Sequence, residues 1–270
     1  MLAALVQERA ARRHTLARIE ELIEQTPNQH VEAHDLKAAG IRHLPLSFEG
    51  DTQHYPCFFK SYQGELPLPQ KEKEDRLLKF EPDPDHIMWD TRDMEVFLTH
   101  HFGGCWEDAW QKYPHSPPLS CVYREIGDYK SGQLMKCIEF HWYAVSVTEY
   151  SEGNCPHFKA ILKSEAIGDG RLLRREIITI TDIMATRLRT KSLRRHIMLV
   201  VSFTGPRHSR ILEADFDGKF LNIRASKLYD FIQMNTILCN CWRGIGLVTR
   251  AARLGWKPPR PVMNKPNQCV

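Results

Sequence analysis

"HIMLVVSFTGPRHSRILEADFDGKFLNIRAS", His196 to Ser226, decides the fold of this 270-residue chain. Leu212, Ala214 and Phe216 alternate with Glu213 and Asp215 as far as Asp217-Gly218, and Leu221 and Ile223 resume the alternation beyond it. A period of two predicts strands, and Asp-Gly between two such runs predicts a hairpin. With a two-residue turn, Phe216 faces Lys219, Asp215 faces Phe220, Ala214 faces Leu221, Glu213 faces Asn222 and Leu212 faces Ile223. One side is then apolar, while Glu213, Asp215, Asn222 and Arg224 share the other, which reads as the solvent side. Carboxylates at alternate strand positions can also hold a hard metal ion, which makes Glu213 and Asp215 candidate catalytic residues. The hairpin reading requires no ligand and is preferred.

Outward from this hairpin, "HIMLVVSF" predicts a strand before it, joined through "TGPRH". "QLMKCIEFHWYAVSVTEY" predicts one long strand or two, with Ile138, Phe140, Trp142, Ala144 and Ser146 opposite Glu139, His141, Tyr143, Val145 and Val147, and "FKAILKSEAI" predicts another. "EIITITDIMATRLRTKS" opens with β-branched residues and is ambiguous between strand and helix. The N-terminal stretch predicts a helix with Leu5, Leu16, Ile19, Leu22 and Ile23 along one stripe; "HDLKAAG" predicts a short turn of helix ended by Gly40. "LPLSFEGDTQHYP" and "GELPLPQ" read as irregular chain. Asp90 is expected to cap a helix from Thr91 to Tyr113, kinked or split at Gly103 and Gly104, and a further helix is expected from Asn235 to Leu254.

The resulting expectation is an α+β fold, a mainly antiparallel sheet from the second half packed with an N-terminal helical region and a C-terminal helix. The expected organisation is a helical and irregular region over 1–115 that packs on the core, an α+β core over 120–256 and a flexible tail over 257–270.

With 42% hydrophobic and 26% charged residues the composition is that of a soluble globular protein, and no apolar run approaches the length of a membrane-spanning helix. Glu8 and Arg9 interrupt any secretory apolar core, so a cytoplasmic location is expected, with nuclear and mitochondrial locations as alternatives. The mitochondrial one rests on Arg9, Arg12, Arg13 and Arg18, and is opposed by Glu20, Glu21 and Glu24 in the same helix. The eight cysteines are scattered and include no Cys-x-x-Cys, so they read as reduced thiols. Cys239 and Cys241 come closest to a pair.

Charge divides the chain. Residues 171–196 carry eight basic and two acidic side chains, residues 232–270 carry six basic and none acidic, and the whole chain is only +4, so residues 1–170 are strongly acidic. Arg174, Arg175, Arg187, Arg189, Arg194 and Arg195 are therefore candidate ligand-binding residues in a basic patch for an acidic protein, a phosphate-bearing ligand or nucleic acid. Equally, the two halves can neutralise each other where they meet. His101 and Cys105, four apart in "THHFGGCWEDAW", are candidate metal ligands on a helix face, and His141 is a candidate general base. No Gly-x-Ser-x-Gly, phosphate loop or dinucleotide fingerprint occurs, so no cofactor is implied, and "GDGR" at Gly168 to Arg171 reads as a turn.

"LVVSFTGPRHSRILEADFDGKFLNIRASKLYDF", with "EIITITDIMATRLRTKSLRRH", resembles a many-membered group of uncharacterised proteins from filamentous fungi, over Lys136 to Phe231. The resemblance implies a fungal origin and a shared fold and assigns no activity or site residue. The functional expectation is a binding protein that uses its basic second half. The alternatives are an enzyme with an unrecognised site, such as an accessory to fungal specialised metabolism, and a structural or oligomer-forming protein.

Overall fold

Nine successive residues, Ile197–Gly205, form strand β7, and every one of them is buried. A strand covered on both faces belongs in the middle of a sheet with a layer on each side. The computed structural model, which describes residues 2–46, 59–60, 85, 87–112, 121–124, 135–136, 142–150, 157–190, 196–232 and 249–250, has that arrangement. The main sheet runs β1 (Ile41–Pro45), β9 (Leu221–Ala225), β8 (His208–Phe216), β7, β6 (His157–Ile167), β5 (Trp142–Tyr150) and β3 (Cys121–Arg124). β4 (Met135–Lys136) pairs with β5 and β10 (Tyr229–Asp230) with β8, while β2 (Phe59–Lys60) and β11 (Thr249–Arg250) form a separate pair. β6 with β7 and β1 with β9 are parallel, and the other ladders are antiparallel. The fold is α+β.

On the first face Trp142, Ala144, Phe158, Ala160, Met198, Val200, Leu212, Ala214, Phe216, Leu221 and Ile223 meet helices α1 (Leu2–Glu24), α2 (Ala33–Ala39) and α4 (Arg174–Thr190). On the second, Ile161, Leu199, Val201, Phe203 and Ile211 meet Met94 and Leu98 of α3 (Ile87–Lys112). The parallel step from β6 to β7 needs a crossover, and α4 supplies it. This helix settles the ambiguous "EIITIT" segment. Ile177, Ile180, Met184 and Leu188 recur at helical spacing and are all buried. Glu176 accepts the Leu173 N–H at 2.8 Å, closing the helix start, and Thr181 returns its hydroxyl to the Ile177 and Ile178 carbonyls. Burial and capping outweigh the β-branched preference.

The predicted hairpin forms with its register two residues away from expectation. Phe216 pairs with Leu221, Ala214 with Ile223 and Glu213 with Arg224, so four residues make the connection. Asp217 is the cause, because its Oδ1 accepts the N–H groups of both Lys219 and Phe220 at 2.8 Å, with Gly218 at φ 106°. A shift of two leaves each residue on its expected face.

Other expectations are corrected. Leu44 and Pro45, expected as irregular chain, belong to strand β1, made by parallel pairing with β9 directly after Gly40 ends α2 at φ 79°. α3 begins at Ile87, so Asp90 lies in its first turn and is not its cap, and the helix passes through Gly103 and Gly104 unbroken. Val145 forms a bulge, and Val147 therefore joins the face of Ala144 and not the opposite one. In the N-terminal helix Leu16, Ile19 and Ile23 are buried as expected, but Leu22 is exposed. Thr249 and Arg250 are in a strand, which corrects the end of the expected C-terminal helix; 233–248 and the tail over 257–270 lie outside the described residues. No described helix is long and apolar enough to cross a membrane.

Leu212 and Ile223 are fully buried between β8, β9 and the first-face helices. Leu212→Ala or Ile223→Ala should therefore cost about 2–5 kcal/mol in a denaturant titration. A loss under about 1 kcal/mol would contradict the packing.

Candidate functional site

Glu213 and Asp215 do not face open solvent as expected. Glu213 is 2% exposed and Arg224 opposite it 5%. Arg224 Nη1 donates to Asp215 Oδ1 at 2.8 Å and lies 3.7 Å from Glu213 Oε1, while Asn222 Nδ2 donates to Asp215 Oδ2 at 3.0 Å. The cation shared by the two carboxylates is thus a side chain of the next strand. This arrangement is a buried structural network and not an open acid pair. Among the described residues no cluster of three or more His, Cys, Asp or Glu is arranged to hold a metal ion.

The basic patch on α4 is also corrected. Arg174, Arg175 and Arg187 are buried. Arg175 lies over the Trp142 ring at 5.4 Å and Arg187 over the Phe158 ring at 5.9 Å, so both occupy the layer between helix and sheet. Arg174 Nη1 donates to the Thr26 carbonyl at 2.6 Å. Arg189 alone of the described candidates is exposed, and Arg194 and Arg195 lie outside the described residues, as does His141. His101 and Cys105 both fall within α3, and their side chains lie outside what is described.

Two buried ion pairs were not foreseen. Arg210 Nε donates to Glu176 Oε1 at 2.8 Å, its Nη2 bonds Glu176 Oε2, and both side chains are at most 1% exposed. On the opposite face Lys163 Nζ lies 3.8 Å from Glu95 Oε2 and 4.4 Å from the centre of the Tyr143 ring. Partners 34 residues apart, as Glu176 and Arg210 are, leave no local spacing to detect.

The charge asymmetry takes a more specific form in three dimensions. α1 runs antiparallel to α4, since Arg9 bonds Leu188 at one end and Glu20 bonds Thr181 at the other. Acidic α1 residues therefore lie toward the start of α4, whereas Arg9, Arg12 and Arg13 meet its basic last turn. Arg9 Nε and Nη2 donate to the Leu188 carbonyl at 3.0 and 2.5 Å and Arg13 Nη1 to the same oxygen at 3.4 Å, capping the negative end of the helix. Arg12 reaches the Phe216 and Asp217 carbonyls and pairs with Glu8. Against this basic end sits His196, 3% exposed, with neither ring nitrogen hydrogen-bonded to a described residue. Burial, then Arg187, Arg12 and Arg9, push its pKa down to about 3. Arg9, Arg12 and Arg13 follow helical spacing in the sequence, the signal that marks one face.

A cleft of about 740 Å³ opens beyond the other end of α4, between the α1–α2 loop and the end of β6. His30 Nε2 bonds the Ile167 carbonyl at 2.8 Å, Arg174 N–H bonds the Gln29 carbonyl at 2.7 Å, and Arg171 bonds both Asp169 and Glu32.

Glu20, half-buried and accepting the Thr181 hydroxyl at 2.8 Å, has its pKa raised to about 7, chiefly by burial and further by Asp182 and Glu24. A raised carboxylate favours the folded state most below its unfolded pKa of 4.5, and that contribution is lost as pH rises through about 7. The thermal midpoint of Glu20→Gln relative to wild type should thus rise between pH 4.5 and 7 and stand above it at pH 8, a difference that isolates Glu20 from other titrating groups. A difference that does not change with pH would contradict the assignment. No protein-family model, curated protein or solved structure matches this chain.

Proposed function

We propose that the protein acts by binding, and that the basic end where α1 meets the last turn of α4 contacts anionic groups of an acidic partner. The reading relocates the expected contact surface. Arg174, Arg175 and Arg187 are buried in the first-face layer, and the cationic convergence is made by Arg9, Arg12 and Arg13 with His196 behind them, while Arg189 is exposed in the last turn of α4.

One observation carries it: His196 is buried beside three arginines with neither ring nitrogen paired among the described residues. An unsatisfied buried polar group costs about 1–3 kcal/mol, and like charges placed together add to that cost. An anion docked among the arginines relieves the repulsion directly. Arginine suits this role because its planar fork bonds phosphate, sulfate and carboxylate through two donors. The fungal resemblance carries no activity into this proposal.

The test is binding to heparin and to mixed nucleic acids over a salt series. Affinity should fall as salt rises, and Arg13→Glu with Arg189→Glu should weaken it by about tenfold or more. Absence of salt-dependent binding, or indifference to the two changes, would reject the proposal.

A pH dependence follows from His196. Its neutral form is held in the folded state, so this contribution to stability is present above pH 6.5 and is lost as pH falls toward 3. An anion that offsets Arg9, Arg12 and Arg187 raises the folded-state pKa and reduces that loss. Sulfate should therefore raise the thermal midpoint more at pH 3.5 than at pH 7.5, and His196→Phe should make the two increments equal. Equal increments in wild type would contradict the placement of the anion beside His196.

A further inference from the structure

Helix α3 is apolar on two sides. Met94 and Leu98 are buried against the second face of the sheet. The outer side carries Trp89 and Val96, 57% and 39% exposed, a second apolar surface that the fold leaves in water. Residues seven apart share a helix face, and the row Trp89, Val96, Gly103 follows that spacing. His100 and Glu107 lie on the same exposed side, and Arg92 flanks it with its guanidinium over the Trp89 ring at 5.0 Å.

Nothing inside the chain accounts for the glycines on this side. A Cβ at Gly103 or Gly104 would meet no atom within 4 Å, and neither residue takes a positive φ. Glycine is also a poor helix former, so packing and backbone both permit a larger residue. What a bare backbone does allow is close approach from outside. Arg92 and Glu107 likewise have no ion-pair partner among the described residues.

These features complement one another when the helix is laid against itself. In an antiparallel pair related by a two-fold axis, residues equally far from the midpoint on either side face each other. With the midpoint between Thr99 and His100, Val96 faces Gly103 and, in the same register, Arg92 faces Glu107. Each contact then occurs twice. The other charged residue of this stretch, Asp93, lies on the far flank in the field of Arg207.

We propose that a second copy of this chain docks on the outer face of α3, antiparallel, with Val96 of each copy in the notch at Gly103 of the other and Arg92 paired with the partner's Glu107. A single helix pair is a small interface, so the dimer is expected to dissociate in the micromolar range (about 10–100 μM). α3 covers the second face of the sheet and α1 and α4 cover the first, so this dimer is independent of the basic end.

The experiment is sedimentation equilibrium of the full chain at concentrations that bracket this range. Wild type should pass from monomer to dimer. Gly103→Leu places its side chain in open space, so it should keep the thermal midpoint and abolish the dimer. Arg92→Glu and Glu107→Arg should each weaken self-association by about tenfold, because like charges then face each other twice. Mixed together, these two variants should form a heterodimer tighter than either homodimer, since both of its charge pairs are then opposite. A chain that stays monomeric up to about 500 μM leaves this face to a different partner and would overturn the proposal, as would a dimer that survives Gly103→Leu or a mixture with no preference for the heterodimer.

Discussion

The Glu176–Arg210 ion pair sets the geometry on which both ends of α4 depend. Glu176 closes the first turn of the crossover helix through the Leu173 N–H, and the same carboxylate takes the Arg210 fork from the third strand over. Arg210 also donates to the Gly170 carbonyl at 3.3 Å, so the loop that leaves β6 is tied to β8 as well. The nearby His43 imidazole is held below its ordinary pKa by burial and then by Arg210, with Glu176 opposing. A buried charge deprived of its partner is costly by several kcal/mol, so the two residues stand or fall together. Helix start, sheet and cleft wall are thereby fixed to one another, and α1 follows because it lies along α4.

Much of this fold is legible in the sequence wherever a period is strong and local. The alternation in Leu212 to Phe216 and in Leu221 to Ile223 specified the buried face of the hairpin, and the stripe of Leu16, Ile19 and Ile23 specified the inner face of α1. The register was not legible, because Asp217 captures two backbone amides and lengthens the turn, a side-chain effect that Asp-Gly alone does not disclose. β1 was missed since its pairing partner lies 180 residues away, between Ile41 and Leu221. The second face of the hairpin was misread for a related reason. Alternating polarity separates two faces, yet it does not reveal that a second layer covers the polar one and buries Glu213 with Arg224.

The candidate sites divide along the same line. Counting charges along the chain finds an asymmetry but not its location, and Arg174, Arg175 and Arg187 of α4 are stacked on Trp142 and Phe158 or bonded to backbone. The acidic first half and the basic second half do meet where α1 and α4 run together. Their antiparallel course brings unlike charges toward one end and like charges to the other, and at the second meeting burial first, and the arginines after it, keep His196 neutral, with neither ring nitrogen paired among the described residues. The cleft was invisible in the sequence because Gln29 and Ile167 come from segments that no motif joins.

The anion-binding account is tested most directly by an anomalous-scattering crystal structure of the protein with tungstate, a tetrahedral oxyanion visible at low occupancy. The account predicts a tungsten peak at the basic end, with oxygens in hydrogen-bond reach of arginines from both α1 and the end of α4. Peaks confined to other surfaces, with the arginines at positions 9, 12, 13 and 189 untouched at saturating tungstate, would contradict it.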